Sequence, residues 1–144
     1  MQEKRLILAD APAGAGIMRE FIPASPFARH VGVEIESLET DRARLRLPFT
    51  EPVATMGDLV HGGAVSTLVD TAAMASAWCT DDVPDTLRGT TVGLTVDFVA
   101  AGRGDLAAVA RVLRRGGSLC FCDVEVTDGD NRLVAKALVT YKLG

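Results

Sequence analysis

One carboxylate stands in the middle of a long apolar segment and is the residue best suited to chemistry. The segment covers residues 58–80 and reads DLVHGGAVSTLVDTAAMASAWCT. From Gly62 onward it contains no proline and is mostly small and apolar, so it predicts one helix that is buried on nearly every side. A buried carboxylate costs free energy unless it is paired or used. Asp70 is therefore the first candidate catalytic residue.

Two glycines follow His61 at the predicted start of this helix. The first backbone N–H groups of a helix have no partners within it and carry partial positive charge. Glycines there let a ligand approach the backbone closely, which suits a carbonyl oxygen that becomes an oxyanion during acyl transfer. Gly62 is the candidate donor and Gly63 a candidate substrate contact. The alternative is that both glycines serve only close packing and that His61 only hydrogen-bonds the backbone.

The spacing of Gly62 and Asp70 separates them by eight residues, or about 12 Å along a helix. That is too far for both groups to hold one reacting carbon within a single subunit. A second copy of the helix, from a neighbouring subunit, would place its Asp70 opposite this Gly62. A symmetric dimer would then contain two equal sites.

Hydroxyl groups lie within one helical turn of Asp70, and they belong to Ser66 and Thr67. They are candidate hydrogen-bond donors to the carboxylate, whereas no lysine or arginine is within helical reach. The alternative for Asp70 is a structural acid satisfied by these hydroxyls or by backbone across a dimer interface. Met74 and Trp78 are expected in the core or in the wall of an acyl pocket.

Strand patterns surround the predicted helix. Two precede it and four follow it, which gives the order β-β-α-β-β-β-β. Short links among the last four strands favour antiparallel pairing. One long helix against one such sheet predicts an α+β domain, with the sheet curled around the helix. The strand segments are residues 31–36, 42–49, 90–99, 106–113, 119–127 and 133–143.

The length and composition set further expectations. A chain of 144 residues fits a single domain over 1–144, with residues 1–24 as a lead-in that holds a short helix from Gly16 to Phe21. The net charge of −4 argues against a nucleic-acid partner, and no apolar run is long enough for a membrane span. Three cysteines do not make a disulfide framework. The first residues lack a signal-peptide core, so a cytoplasmic location is expected.

The His61-Gly62-Gly63 segment, followed by Asp70 in LVDTA and then by the strand TTVGLTVDFV, resembles the hotdog-fold acyl-CoA thioesterases, in particular their phenylacetate-pathway type. The resemblance covers about residues 25–143. It implies a hotdog fold, in which a curved antiparallel sheet of about six strands wraps one long helix. It also implies hydrolysis of a small aryl- or short- to medium-chain acyl-CoA to the acid and CoA, without a metal or another cofactor. A homodimer with shared active sites, assembled as a dimer of dimers, is expected.

The same resemblance implies roles for the candidate catalytic residues. Gly62 matches the residue whose backbone N–H polarises the thioester carbonyl, and Asp70 matches the general base or nucleophile. Thr91 matches a hydroxyl that helps to hold the attacking water. His61 matches a histidine that positions the loop and the carbonyl. Thr55 stands where the family often has an asparagine that contacts the water or the thioester.

The remaining candidate residues would contact the substrate. The resemblance places Arg114 and Arg115 in a hairpin where the family binds CoA phosphates, although a solvated hairpin is the plain alternative. A second basic residue that is usual there is replaced by Gly117. The predicted substrate contacts are Gly63, Ser66, Met74, Arg114 and Arg115.

Other functions on the same fold remain in view. A non-catalytic acyl-CoA-binding or assembly protein is the second hypothesis, and Thr55 in place of asparagine is its support. A hotdog dehydratase or hydratase would need a His-Phe-Pro-Gly type loop or an aspartate four residues before a histidine, and the sequence contains neither. The sequence leaves open the acyl group, the choice between base and nucleophile for Asp70, and the choice between dimer and tetramer.

Overall fold

The computed structural model describes residues 11–144. Two short helices come first, then two strands, a small hairpin, the long helix and four long strands. The helices are α1 (Ala13–Ala24), α2 (Pro26–Val31) and α3 (Gly62–Trp78). The strands are β1 (Glu34–Glu39), β2 (Arg42–Leu47), β3 (Ala54–Met56), β4 (Leu59–Val60), β5 (Gly89–Phe98), β6 (Leu106–Arg115), β7 (Leu119–Thr127) and β8 (Leu133–Leu143).

Six of the strands form one curved antiparallel sheet in the order β1-β2-β6-β7-β8-β5. Strands β3 and β4 form a separate hairpin just before α3. Helix α3 packs mainly on β2, β6, β7 and β8, where Leu45, Ala108 and Val124 are fully buried. The predicted α+β architecture, with one long helix against a curved antiparallel sheet, is confirmed.

Helix α3 can lie close to the sheet because its inward side chains are small. Ala72, Ala73, Ala75 and Ala77 are completely buried. Small side chains shorten the distance between the helix axis and the sheet, and the larger Leu68 fills the space that remains. The helix predicted from Gly62 therefore forms, and it ends at Trp78.

The N-terminal helix is longer than predicted. It runs from Ala13 to Ala24, beyond the predicted bounds of Gly16 and Phe21, and it contains Pro23. The proline removes one backbone donor from the helix. The Ser25 N–H still donates to the carbonyls of Phe21 and Ile22 at 2.9 and 3.2 Å, so the last turn is kept. The part of the predicted lead-in that comprises residues 1–10 lies outside the described residues.

The first strand begins three residues later than predicted. Val31 ends α2 and Gly32 adopts a left-handed conformation with φ +94°, so β1 starts at Glu34. Alternation of Val31, Val33 and Ile35 predicted a strand, but proline at the helix start and glycine after its end are the stronger local signals. The last two strands have the predicted bounds.

Strand β5 is an edge strand and leaves apolar side chains exposed. Within residues 11–144 it pairs only with β8, and its register shifts between Thr91 and Gly93. Val92, Leu94 and Phe98, which alternate along the strand, have exposed fractions of 59%, 41% and 53%. Exposed edge strands are templates for pairing with another chain.

A close contact holds α1 against the end of α3, and it predicts a large effect of one methyl group. A Cβ atom at Gly14 would lie 1.7 Å from the carbonyl oxygen of Trp78. We expect Gly14→Ala to lower the free energy of unfolding by about 2 kcal/mol or more, because the helix must move away from this backbone. Urea unfolding measures the change.

Gly16→Ala in the same helix is the matched control. A Cβ atom there meets nothing within 4 Å. We expect this variant to gain about 0.5–1 kcal/mol, since alanine is the better helix former. Equal stability of the two variants would contradict the contact.

Candidate active site

His61 caps the start of α3 with its side chain. Its imidazole Nδ1 accepts a hydrogen bond from the backbone N–H of Gly63 at 2.8 Å. Its own backbone N–H donates to the carbonyl of Val53 at 2.8 Å. A Cβ atom at Gly63 would lie 2.9 Å from Nδ1, so this cap needs glycine at that position. His61 and Gly63 therefore act together to fix the start of the helix.

Gly62 presents the free backbone donor at this helix end. The N–H groups of Ala64 and Val65 donate to the carbonyl of His61 at 2.9 and 3.1 Å, and that of Gly63 donates to the imidazole. The N–H of Gly62 donates to no atom among residues 11–144. A donor with no partner at a helix N-terminus is suited to bind a carbonyl oxygen that gains negative charge.

A cavity of about 450 Å³ opens next to Gly62. Thr55, on strand β3, lines the same cavity and is exposed. Phe98, at the end of β5, lies across it, and a Cβ atom at Gly62 would be 3.5 Å from its ring. The structure thus brings the predicted residues Thr55 and Gly62 to one place.

Asp70 is half-buried and is held by Thr91. The Thr91 hydroxyl donates to Asp70 Oδ1 at 2.6 Å across 21 residues of sequence. The expected bonds from Ser66 and Thr67 to this carboxylate do not form; their hydroxyls donate at 2.9 Å to the carbonyls of Gly62 and Gly63. A serine or threonine within a helix reaches the carbonyl four residues earlier more easily than a side chain four residues later.

The charge of Asp70 has no cation beside it in residues 11–144, since none of the ion pairs there includes it. Its field reaches the buried Tyr141, whose hydroxyl accepts a hydrogen bond from Trp78 Nε1 at 3.0 Å. Burial raises the pKa of the Tyr141 phenol, the bond from Trp78 lowers it, and the charge of Asp70 raises it. Trp78 thus belongs to the core.

Asp70 and Thr91 line a cavity of about 330 Å³. Ser66 and Met74, both predicted substrate contacts, line it too. Its other wall comes from α1 and α2, which contain none of the residues predicted for the site. The apolar lining residues are Phe21, Ile22, Phe27, Ala28, Met74 and Leu94. Met74 is therefore part of this wall, as the sequence allowed.

The two hairpin arginines have different surroundings. Arg115 donates to Asp41 Oδ1 at 2.7 Å and to the carbonyl of Ala77 at 2.9 Å, so its guanidinium ties the end of α3 to the sheet. Arg114 lines a separate cavity of about 630 Å³ with Gly116 and Gly117. Among residues 11–144 it has no ion-pair partner. Arg114 is the more available of the two for a phosphate.

The described residues also limit other kinds of site. Across residues 11–144, no three His, Cys, Asp or Glu side chains are grouped so that they could hold a metal ion. In the same range no helix combines the length and apolar character that crossing a membrane requires.

Comparisons with known proteins agree with this arrangement. The family model described as the thioesterase superfamily matches residues 57–135, which is more than half of the chain. A Saccharolobus solfataricus protein provisionally named an esterase is 31% identical over 125 residues, covering 86% of this chain and 81% of that protein. The medium/long-chain acyl-CoA thioesterase YigI of Salmonella typhimurium is 29% identical, covering 86% of this chain and 89% of its own.

Solved structures give the same result. A conserved protein of Pseudomonas aeruginosa superposes with a TM-score of 0.77 at 27% identity, over 87% of this chain and 98% of that one. Zebrafish thioesterase superfamily member 2 gives 0.76 at 27% identity, over 90% and 95%. The PaaI protein from the Escherichia coli phenylacetic acid degradation operon gives 0.75 over 91% of each chain, and at 24% identity it speaks for the fold alone. With its matched segment, its relatives and its one long helix packed against a curved sheet, this chain belongs to the thioesterase superfamily and has the hotdog fold.

Proposed function

We propose that the protein is an acyl-CoA thioesterase that hydrolyses a small aryl- or short- to medium-chain acyl-CoA to the acid and free CoA. The observation that carries the proposal is the Asp70 carboxylate, which Thr91 orients in a cavity with an apolar wall. A carboxylate with no cation beside it is a base whose charge is not already neutralised. The acyl-CoA thioesterase among the relatives supports the choice of thioester.

The proposed reaction uses water and side chains of the protein alone. Asp70 accepts a proton from water while the water oxygen attacks the thioester carbon. The carbonyl oxygen gains negative charge, which the Gly62 N–H and the N-terminus of α3 stabilise. When the carbonyl re-forms, the carbon–sulfur bond breaks and the CoA thiolate leaves and takes up a proton. In the alternative course Asp70 attacks first, and water then hydrolyses the anhydride.

Two subunits would build each site. Gly62 and Asp70 line different cavities of the chain, which fits their separation by two helical turns. Edge strand β5 has Thr91 in it and Phe98 at its end. Antiparallel pairing of β5 with the same strand of a second copy would be isologous. It would bring Gly62 of each copy to Asp70 of the other, so that the dimer would contain two sites.

A dimer of dimers is the second level of the proposed assembly. Phe121 and Leu138 have exposed fractions of 41% and 60% on β7 and β8. Large apolar side chains that a single chain leaves open are common where proteins associate. A further dimer packed on this sheet would cover them.

CoA would bind with its phosphates at the β6–β7 hairpin. We assign this contact first to Arg114, which has no competing carboxylate among the described residues. Arg115 would join it only if its bonds to Asp41 and Ala77 were rearranged. Gly116 and Gly117 leave room beside the arginine for a phosphate.

Release of free thiol from a panel of acyl-CoA esters tests the proposal. We expect turnover of phenylacetyl-, benzoyl- or hexanoyl-CoA at rates of about 1 per second or more, which is ordinary for an enzyme. Tight binding of these esters without turnover would contradict an enzyme and favour the non-catalytic acyl-CoA binder, for which Thr55 in place of asparagine is the sequence support.

A further inference from the structure

We propose a second binding site, separate from the Asp70 cavity, that takes a small amphipathic carboxylate: one carboxylate head on a short uncharged apolar body. It is a cavity of about 550 Å³ between α1, α2 and β1. Arg19 and Arg29 would bind the head, and apolar side chains between them would receive the body. The site does not depend on the proposed thioesterase activity.

The two arginines come from different helices and face the same cavity. Arg19 lies on α1 and Arg29 in the last turn of α2, and both line the cavity. Both side chains are exposed, and within residues 11–144 neither makes an ion pair or a side-chain hydrogen bond. Guanidinium groups match a carboxylate with paired N–H donors, so two free ones at one cavity favour an anion.

The floor of this cavity is apolar and firmly held. Ile22 and Val33 have exposed fractions of 1% and 8%, and Ile35 is half-buried. Pro23 adds a rigid ring, and Gly32 leaves the wall open because it has no side chain. An apolar floor beneath two cations suits an amphiphile better than a free inorganic anion, which would gain nothing from the floor.

One acid also lines the cavity, and an arginine outside the cavity partly compensates its charge. Glu34 lies at the start of β1, with its carboxylate 3.9 Å from Arg46. Its side chain is 60% exposed, so water screens its repulsion of a bound carboxylate. The cavity has two arginines and one acid, and that acid already has a cation beside it. The cavity is therefore locally positive, although the net charge of the chain is −4.

Backbone hydrogen bonds hold the corner between α1 and α2, from which the two arginines extend. The Ser25 backbone N–H donates to the carbonyls of Phe21 and Ile22 at 2.9 and 3.2 Å, and the Arg29 N–H donates to the carbonyl of Ser25 at 3.0 Å. Ile22 lines both this cavity and the Asp70 cavity. A ligand here would therefore pack against the same helix that forms a wall of the candidate active site.

Calorimetric titration of the full chain with four small probes tests the site. Octanoate carries the head and the body, octylamine reverses the charge, octanol removes it, and acetate removes the body. We expect octanoate to bind at least tenfold more tightly than the other three. Equal affinity for octanoate and octanol, or for octanoate and acetate, would overturn the proposal, since either the arginines or the apolar floor would then contribute nothing.

Substitutions locate the binding. The double variant Arg19→Gln with Arg29→Gln should weaken octanoate binding by about tenfold or more, as two charge-assisted hydrogen bonds are lost. Arg88→Gln removes one exposed positive charge far from this cavity along the sequence, and Leu94→Ala alters only the Asp70 cavity; both should leave the affinity unchanged. Loss of affinity in Leu94→Ala, with retention in the double variant, would place octanoate in the Asp70 cavity and overturn the proposal.

Discussion

Asp70→Asn should lower kcat for acyl-CoA hydrolysis by about 10² to 10⁴, the range that general acid–base catalysis commonly contributes. Asparagine has the shape of aspartate but cannot take a proton from water or form an anhydride. Its carbonyl oxygen can still accept the hydrogen bond that Thr91 donates at 2.6 Å. The fold should therefore survive, and the loss should appear in kcat rather than in the melting temperature.

Asp85→Asn is the matched control for this substitution. Asp85 is an exposed acid between α3 and β5, and its side chain has no ion-pair partner among residues 11–144. The Asp85→Asn substitution makes the same chemical change outside the cavities described above, and it should keep the wild-type kcat. Near-full activity in Asp70→Asn would remove Asp70 from the mechanism under either course of the reaction.

Gly62→Pro should lower kcat by about 10² to 10³, as the loss of one oxyanion donor does in other acyl-transfer enzymes. Proline lacks the backbone N–H, which here has no partner within residues 11–144. It is otherwise well suited to the position, because Gly62 is the first residue of α3 and proline is favoured there. His61, with φ −61° and ψ 135°, already has the extended conformation that a residue before proline adopts.

Gly62→Ala separates the N–H from the side chain. Its Cβ atom would lie 3.5 Å from the Phe98 ring, which is an ordinary contact, and the N–H remains. We expect this variant to keep most of the wild-type kcat. Equal losses in the alanine and proline variants would mean that space at Gly62, rather than its N–H, decides activity, and the oxyanion role would be withdrawn.

The sequence predicted those helices and strands whose bounds depend on local signals, such as turn residues and the spacing of apolar residues. Helix α3 was predicted because glycines precede a long segment of small apolar residues without proline. Strands β7 and β8 were predicted with their bounds because turn residues stand on both sides of β7 and before β8. The opposite happened at Val31: its alternation with Val33 predicted a strand, but the helix signals of Pro26 and Gly32 decide the structure.

The features that escaped prediction depend on contacts between distant parts of the chain. Helix α1 extends back to Ala13 because Gly14 fits against the end of α3, a contact across more than sixty residues of sequence that periodicity does not show. The exposure of β5 follows from its place at the sheet edge, which depends on the pairing of all six strands.

The same distinction between local signals and distant contacts applies to the candidate site. Residue types and the family resemblance made Asp70, Gly62 and Thr91 candidates, and in the structure the Thr91 hydroxyl donates a hydrogen bond to Asp70. Ser66 was expected to bond Asp70, but helix geometry gives its hydroxyl a nearer carbonyl. The residues of α1 and α2 that form a wall of the cavity were not among the candidates, and the bond between Arg115 and Asp41 had no signal in the sequence.

A heterodimer of the two inactive variants tests the shared site most directly. Asp70→Asn and Gly62→Pro subunits carry different affinity tags, are produced together, and are isolated as the mixed dimer. One of its two sites then combines an intact Gly62 from one subunit with an intact Asp70 from the other, while the second site carries both substitutions. We expect about half of the wild-type activity in this heterodimer, against almost none in either parent. Activity no higher than that of the parents would show that each site lies within one subunit and would contradict the account.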